Sequence, residues 1–301
     1  MDQVEEVQSR VKMILMKTQS TGSPGTHGES HSQQDVSFSP MTQFVEIQGE
    51  NLAAKLFEPK GEYQADVVLV HGFTGSKEDF FDVASLLADS GFRVLTFDNR
   101  GQHQSSHSKR NDGYSMPSLG RDVVEISQSF QLKKPHLLGH SFGGLIAQQA
   151  IILNSNNWSS LTLLCSGPGG RSDWLEDPQF INLNNNTKSE IWKRVLEKDR
   201  LNNPKFELLK TRWLLSDADS TMIYRDHLRK QPSLISQIAN LGISSHVVYG
   251  ENDDAWPLSE QNKMAMELKA ELTVLPDCGH CPNVENPALL AGKLVRFWSS
   301  K

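Results

Sequence analysis

A serine flanked by glycines, with an aspartate and a histidine further along the chain, is a set of residues that can do acyl chemistry. In LLGHSFGG, residues 137–144, Gly139, Ser141 and Gly143 stand in the spacing Gly-x-Ser-x-Gly after the apolar pair Leu137 and Leu138. That pattern marks a sharp strand-to-helix turn on which small flanking residues let the chain close and lift the serine Oγ clear of the sheet. A serine hydroxyl is a poor nucleophile until a base takes its proton. After such a turn the acid and then the histidine follow in chain order. The histidines after Ser141 are His227, His246 and His280. His227 falls in a stretch without strand patterning and His246 opens a strand, whereas His280 sits in the glycine-containing loop LPDCGHCPNVENP after the last strand. His280 is the expected base.

The acid must accept the Nδ1–H of that imidazole, fixing its tautomer and stabilising the imidazolium. YGENDDAWP leaves a strand end and offers Asp253, the expected acid, and Asp254, the alternative; Asp173 and Asp177 are weaker candidates. Two backbone N–H groups should face the developing oxyanion. Phe142, after the nucleophile, supplies one, and Phe73 in HGFTG supplies the other. His71 and His140 are expected to support these turns and not to react.

Such residues need a rigid frame. FVEIQ and LAAKLFE read as a hairpin around Gly49, and ADVVLVHG is a continuous apolar run of the kind found in strands covered on both faces. Helical stretches near 78–90 and 117–130, the strands FRVLTFD and PHLLGH, the helix FGGLIAQQAIIL and the strand LTLLC follow in alternation. SHVVYG and ELTVLP are late strands with a helix between them, and a last helix covers about 287–299. Alternation of this kind predicts an α/β fold with a mostly parallel central sheet and helices on both faces. Residues 41–165 and 243–301 form this core. Between them, 166–242 reads as a helical insertion carrying Trp174, Trp192, Trp213, Phe180 and Phe206 among charged residues. Residues 1–40 read as a flexible extension, because STGSPGTHGESHSQQDVSFSP at 20–40 has no hydrophobic period. Val4, Val7, Val11, Ile14 and Leu15 ahead of it fall at helical spacing.

The 301 residues carry a net charge of −6, which leaves no basic footprint for nucleic acid. Mean hydropathy is −0.45, and no apolar run reaches membrane-spanning length. The N-terminus is acidic and lacks the apolar region of a secretory signal, so a cytoplasmic location without a stable membrane anchor is expected. Three cysteines, Cys165, Cys278 and Cys281, do not make a disulfide framework. Cys278-x-x-Cys281 lacks the second ligand pair of a zinc site, so neither metal nor cofactor is expected.

Taken together, HGFTGS, FDNRG, GHSFGG, GENDDAWP and GHCPNVENP occur in the order found in the α/β-hydrolase superfamily. The chain resembles the capped serine-hydrolase branch of that superfamily over about 41–301. The resemblance implies a helical cap at 166–242, and it supports Asp253 through Gly250, Asp253 and Pro257, which match the family's acid motif. Relatives place a second glycine where this chain has His103, within Asp98, Arg100, Gly101 and Ser105 that otherwise match. Ser141 disfavours the branches with an aspartate nucleophile. The expected activity is hydrolysis of a carboxylic ester of a small, neutral, moderately hydrophobic molecule through an acyl-enzyme. C–C bond hydrolysis, thioester hydrolysis and acyl transfer use the same triad, and a non-catalytic ligand-binding member of the fold is the alternative of another class. Trp256 and the side chains of Phe73 and Phe142 are expected to add to an apolar pocket.

Overall fold

The structure is a computed structural model that describes residues 42–171, 187–193, 197, 201 and 203–301. The expected N-terminal extension, Asp173, Asp177, Trp174 and Phe180 lie outside the described residues.

Among the described residues, eight strands form one sheet: β1 (Gln43–Ile47), β2 (Glu50–Phe57), β3 (Asp66–Val70), β4 (Arg93–Phe97), β5 (His136–His140), β6 (Ser160–Leu164), β7 (Ser244–Gly250) and β8 (Glu271–Leu275). Their spatial order is β1-β2-β4-β3-β5-β6-β7-β8. The β1–β2 and β2–β4 pairs are antiparallel, and every pair from β4 to β8 is parallel. Parallel neighbours need crossover segments, which the chain supplies as helices α1 (Phe81–Asp89), α2 (Met116–Ser129), α3 (Phe142–Leu153) and α8 (Leu258–Leu268), while α10 (Pro287–Trp298) follows the last strand. A 3-10 turn, Lys77–Phe80, precedes α1, and the short helix α9 (Pro282–Glu285) precedes α10.

Every residue of β3, β5 and β6 is buried. Their side chains point alternately to two covered faces, so Val67–Val70 of β3 make a continuous apolar run instead of an alternating one. Packing divides the helices into two groups, α1 with α10 and α2 with α3. The described residues between β6 and β7 form four helices: α4 (Lys188–Ile191), α5 (Phe206–Leu215), α6 (Ala218–Lys230) and α7 (Ile235–Leu241). Among them α7 packs on α3 and α8, beside the sheet. The α5–α6 corner rests instead on the loop after β4: Asp217 N–H donates to Gly101 C=O at 2.7 Å, His103 N–H to Ser216 Oγ at 3.0 Å, and Tyr224 O–H to Arg100 C=O. Gly101 makes this seat possible. Its φ is +71°, and a Cβ there would come within 2.8 Å of Tyr114 and Ser220.

Candidate active site

Ser141 follows β5 and caps α3 with φ 52° and ψ −119°, a conformation that L-residues rarely adopt. Close approach enforces it. A Cβ on Gly143 would stand 2.3 Å from Val70 C=O, and one on Gly139 would stand 2.2 Å from Gly143 C=O. Ser141 N–H donates to Leu164 C=O at 2.9 Å, and Ser166 Oγ–H donates to Ser141 C=O at 2.8 Å, so β6 holds the turn from the other side. The strained serine is therefore locked between β3 and β6.

His280 reaches the same place from the far end of the chain, 139 positions away. Its Nε2 lies 3.0 Å from Ser141 Oγ, and its Nδ1 lies 2.9 Å from Asp253 Oδ1. Asp253 follows β7 and His280 follows β8, and their loops are joined. Glu251 N–H donates to Leu275 C=O at 3.0 Å and Asn252 N–H to Cys278 C=O at 2.9 Å, while a Cβ on Gly250 would lie 2.2 Å from Gly279 C=O. Glu285 in α9 grips the histidine loop from both sides, accepting from Gly279 N–H and from Cys281 N–H. Asp253 is buried, with Ala255 N–H donating to Oδ1 at 3.0 Å and Gln261 Nε2–H to Oδ2 at 2.9 Å. Burial alone would raise its pKa, but the His280 charge and these hydrogen bonds outweigh it and hold the carboxyl below its usual value. Asp254, by contrast, is exposed.

The sequence singled out Phe73 and Phe142 as well. Phe142 N–H belongs to the first turn of α3, where no intrahelical carbonyl is available, and its ring is buried against Tyr224 and His227 of α6. Phe73 is half-buried in the loop after β3. His71 and His140 brace these loops. His71 Nε2 accepts from Asn99 N–H at 2.9 Å while Nδ1 faces Gly72 C=O, and His140 Nε2 contacts His280 C=O at 2.8 Å. Burial lowers the pKa of both, that of His140 to about 4, so both are neutral near pH 7. Trp256 is fully buried beside Gly167, and His246 pairs with Thr273 Oγ1 at 2.9 Å away from the serine.

Several contacts around the site had no motif to announce them. Gln261 and Glu285 are ordinary helix residues whose only signal is an offset of eight from Asp253 and five from His280. Asp79 joins three regions: its carboxylate pairs with Arg212 of α5 and accepts from Ser76 N–H, while its carbonyl accepts from Asn283 Nδ2 of α9 at 2.9 Å.

Among the described residues, two side-chain clusters have donors suited to a metal. Cys165, Asp253 and His280 converge, but burial raises the Cys165 thiol well above its usual pKa and both His280 nitrogens are engaged. Glu78, Asp98 and His103 also converge, yet Lys77 Nζ already lies 3.0 Å from Asp98 Oδ2 and 2.8 Å from Glu78 Oε1. The residue that departs from the usual glycine, His103, has φ 45° and sits 3.3 Å from Glu78 Oε2. Burial would lower its pKa; hydrogen bonding and charge from Asp98 and Glu78 raise it instead, to about 9. Burial also pushes the Cys278 thiol up to about 11 and the Cys281 thiol well up, and all three cysteines are free.

A strained serine between a parallel sheet and a helix, facing a histidine that touches a buried aspartate, defines a class of α/β enzymes with a nucleophile elbow. Comparison with known proteins narrows this. A profile of the alpha/beta hydrolase fold matches residues 67–209. A provisionally named 2-succinyl-6-hydroxy-2,4-cyclohexadiene-1-carboxylate synthase of Bacillus subtilis (strain 168) is 26% identical over 76% of this chain and 88% of its own. The 3-oxoadipate enol-lactonase 1 of Acinetobacter baylyi is 22% identical over 80% of this chain and 90% of its own. Among solved structures, a hydrolase from Pseudomonas aeruginosa PA01 superposes with a TM-score of 0.72 at 22% identity, covering 85% of this chain and 97% of that one. The chain has the α/β-hydrolase fold and is similar to proteins of that fold named as hydrolases and lactonases. No helix among the described residues is long and apolar enough to cross a membrane.

Proposed function

We propose that the chain is a hydrolase that cleaves a carboxylic ester of a small, moderately hydrophobic substrate through an acyl-enzyme, with Ser141 as nucleophile, His280 as base and then acid, and Asp253 as the group that orients the imidazole. The observation that carries the reading is the position of one imidazole, 3.0 Å from Ser141 Oγ and 2.9 Å from Asp253 Oδ1. In this mechanism Oγ attacks the ester carbonyl as its proton moves to His280 Nε2. Phe73 and Phe142 N–H groups stabilise the oxyanion, each contributing on the order of 3 kcal/mol at the transition state. The imidazolium then protonates the departing alkoxide. Water, deprotonated by the same nitrogen, releases the acid and restores Ser141. A relative named as an enol-lactonase fits this chemistry, a lactone being a cyclic ester.

The inserted helices act as a cap whose inner face shapes the acyl or leaving-group pocket. The preference for neutral substrates rests on charge balance around the site: Lys77 is paired with Asp98 and Glu78, and Arg212 with Asp79. The test joins active-site labelling with a substrate series. A fluorophosphonate should mark Ser141 in peptide maps and fail to mark Ser141→Ala. Across p-nitrophenyl esters from acetate to decanoate, kcat/KM should rise and then fall with chain length. An adduct on another serine would overturn the nucleophile; a flat series, or a preference for anionic esters, would overturn the pocket.

A further inference from the structure

The Asp253 carboxylate is wholly buried, and its two oxygens are held differently. Oδ1 takes the His280 Nδ1–H and the Ala255 N–H. Among the described residues, the hydrogen bond to Oδ2 comes from Gln261 in α8, a side chain with no solvent exposure. The same Gln261 Nε2 also reaches Trp256 C=O at 3.3 Å, while its Oε1 is buried without a partner. The orientation of the amide follows from chemistry: with Oε1 turned inward, a carbonyl oxygen would face both a carboxylate oxygen and a backbone carbonyl, three acceptors without a proton between them. So the glutamine keeps one end unsatisfied in the core in order to place its donor on Asp253. An apolar side chain of the same length would avoid that cost.

We infer that Gln261 is a positioning residue of the triad: it fixes the rotation of the Asp253 carboxylate, so that Oδ1 stays in line with His280 Nδ1, and it keeps that carboxylate ionised inside the core. The inference rests on the Ser141–His280–Asp253 reading above and names the group that steadies its acid. Gln261 touches no reacting atom and acts through Asp253 alone. Without its N–H, Oδ2 is left buried and uncompensated, a state relieved by rotating the carboxylate off His280 or by protonating it.

Replacement by glutamate gives a distinctive signature. In Gln261→Glu the new carboxyl, while protonated, donates an O–H to Asp253 Oδ2 much as the amide does. Once the pair loses its shared proton, two carboxylates face each other at hydrogen-bonding distance in the core, so this loss is displaced to high pH and belongs to the pair. Glutamate should therefore substitute for glutamine at low pH and fail as the pH rises, whereas methionine, similar in shape and without a donor, should fail throughout.

The experiment measures the rate at which a fluorophosphonate modifies Ser141 from pH 5 to 10 in the full-length wild type, Gln261→Met and Gln261→Glu, with near-ultraviolet circular dichroism and Tm as controls for folding. Gln261→Met should react about 10- to 100-fold more slowly at neutral pH. Gln261→Glu should approach the wild-type rate at the acid end and add a falling alkaline limb that the wild type lacks. Wild-type rates and profiles in both folded variants would overturn the inference, as would an equal slowing at every pH in both, which marks a packing role. Should Gln261→Met not fold, the glutamate profile decides, and the absence of its alkaline limb overturns the inference. A wild type left unmodified at Ser141 overturns the triad reading, and this inference with it.

Discussion

Asp253 and Asp254 are adjacent acids with different surroundings. The first is buried and meets His280, Ala255 and Gln261; the second is exposed. On the proposed mechanism Asp253→Asn should lower kcat on the order of 10⁴-fold, because an amide at Oδ1 no longer holds the Nδ1–H tautomer. Asp254→Asn, a surface change, should stay within about 2-fold. Steady-state kinetics on any turned-over ester, with Tm measured alongside, checks the ranking. The reverse order in folded variants would move the acid to Asp254. At this scale the sequence was legible where chemistry demands a fixed local context. Ser141 needs its glycines, and the acid and the histidine each need a loop at a strand end. Gln261, Glu285 and Asp79 were not legible, because a side-chain amide or carboxylate that reaches across the fold leaves no local pattern. His103 was legible as a departure but not in its effect: its left-handed backbone is offset by contacts to Glu78 and Asp98 that no motif encodes.

The elements explain why the serine turn is stiff. The start of α3 is driven down onto the end of β3, with Gly143 so near Val70 and His71 carbonyls that a methyl group would lie 2.3 and 2.5 Å from them. Gly143→Ala should therefore shift α3 away from β3 and cost about 3 kcal/mol or more, as overpacking against backbone does. Thermal unfolding would show it as a large drop in Tm. A near-normal Tm would mean that the turn can relax, and the locked-serine account would fall. Strand and helix positions in the core were legible because their apolar runs are long and bounded by glycine, proline or charged residues. The inserted helices were less so. Their seat depends on α6 bonding to carbonyls of the loop after β4, as Tyr224 does to Arg100, and on α7 turning back to pack on α3 and α8.

The whole molecule should lose stability toward acid pH, while groups of opposite sign meet on the alkaline side. His136, His140 and His246 are buried with pKa values lowered to about 4, against about 6.5 in an unfolded chain. Between those limits the unfolded state binds protons that the folded state refuses, so stability present above about pH 6.5 is lost as the pH falls toward 4. His103 works in the other direction. Its folded pKa of about 9 gives stability that is complete below about pH 6.5 and lost as the pH rises through 9. On the acid side the three histidines outweigh Asp122, raised to about 6, and on the alkaline side Lys188, lowered by burial to about 7, works against His103, so Tm should fall more steeply toward acid. His103→Gly should lessen the loss on the alkaline side, where the raised Cys278 thiol also acts, and leave the acid decline. A Tm unchanged between about pH 6.5 and 4.5 would remove the buried-histidine account. Asp79 bears on motion. It fastens Arg212 of α5 on one side and Asn283, three residues past His280, on the other. One carboxylate residue thus ties α5 to the segment bearing the histidine, and a push on either is felt by the other.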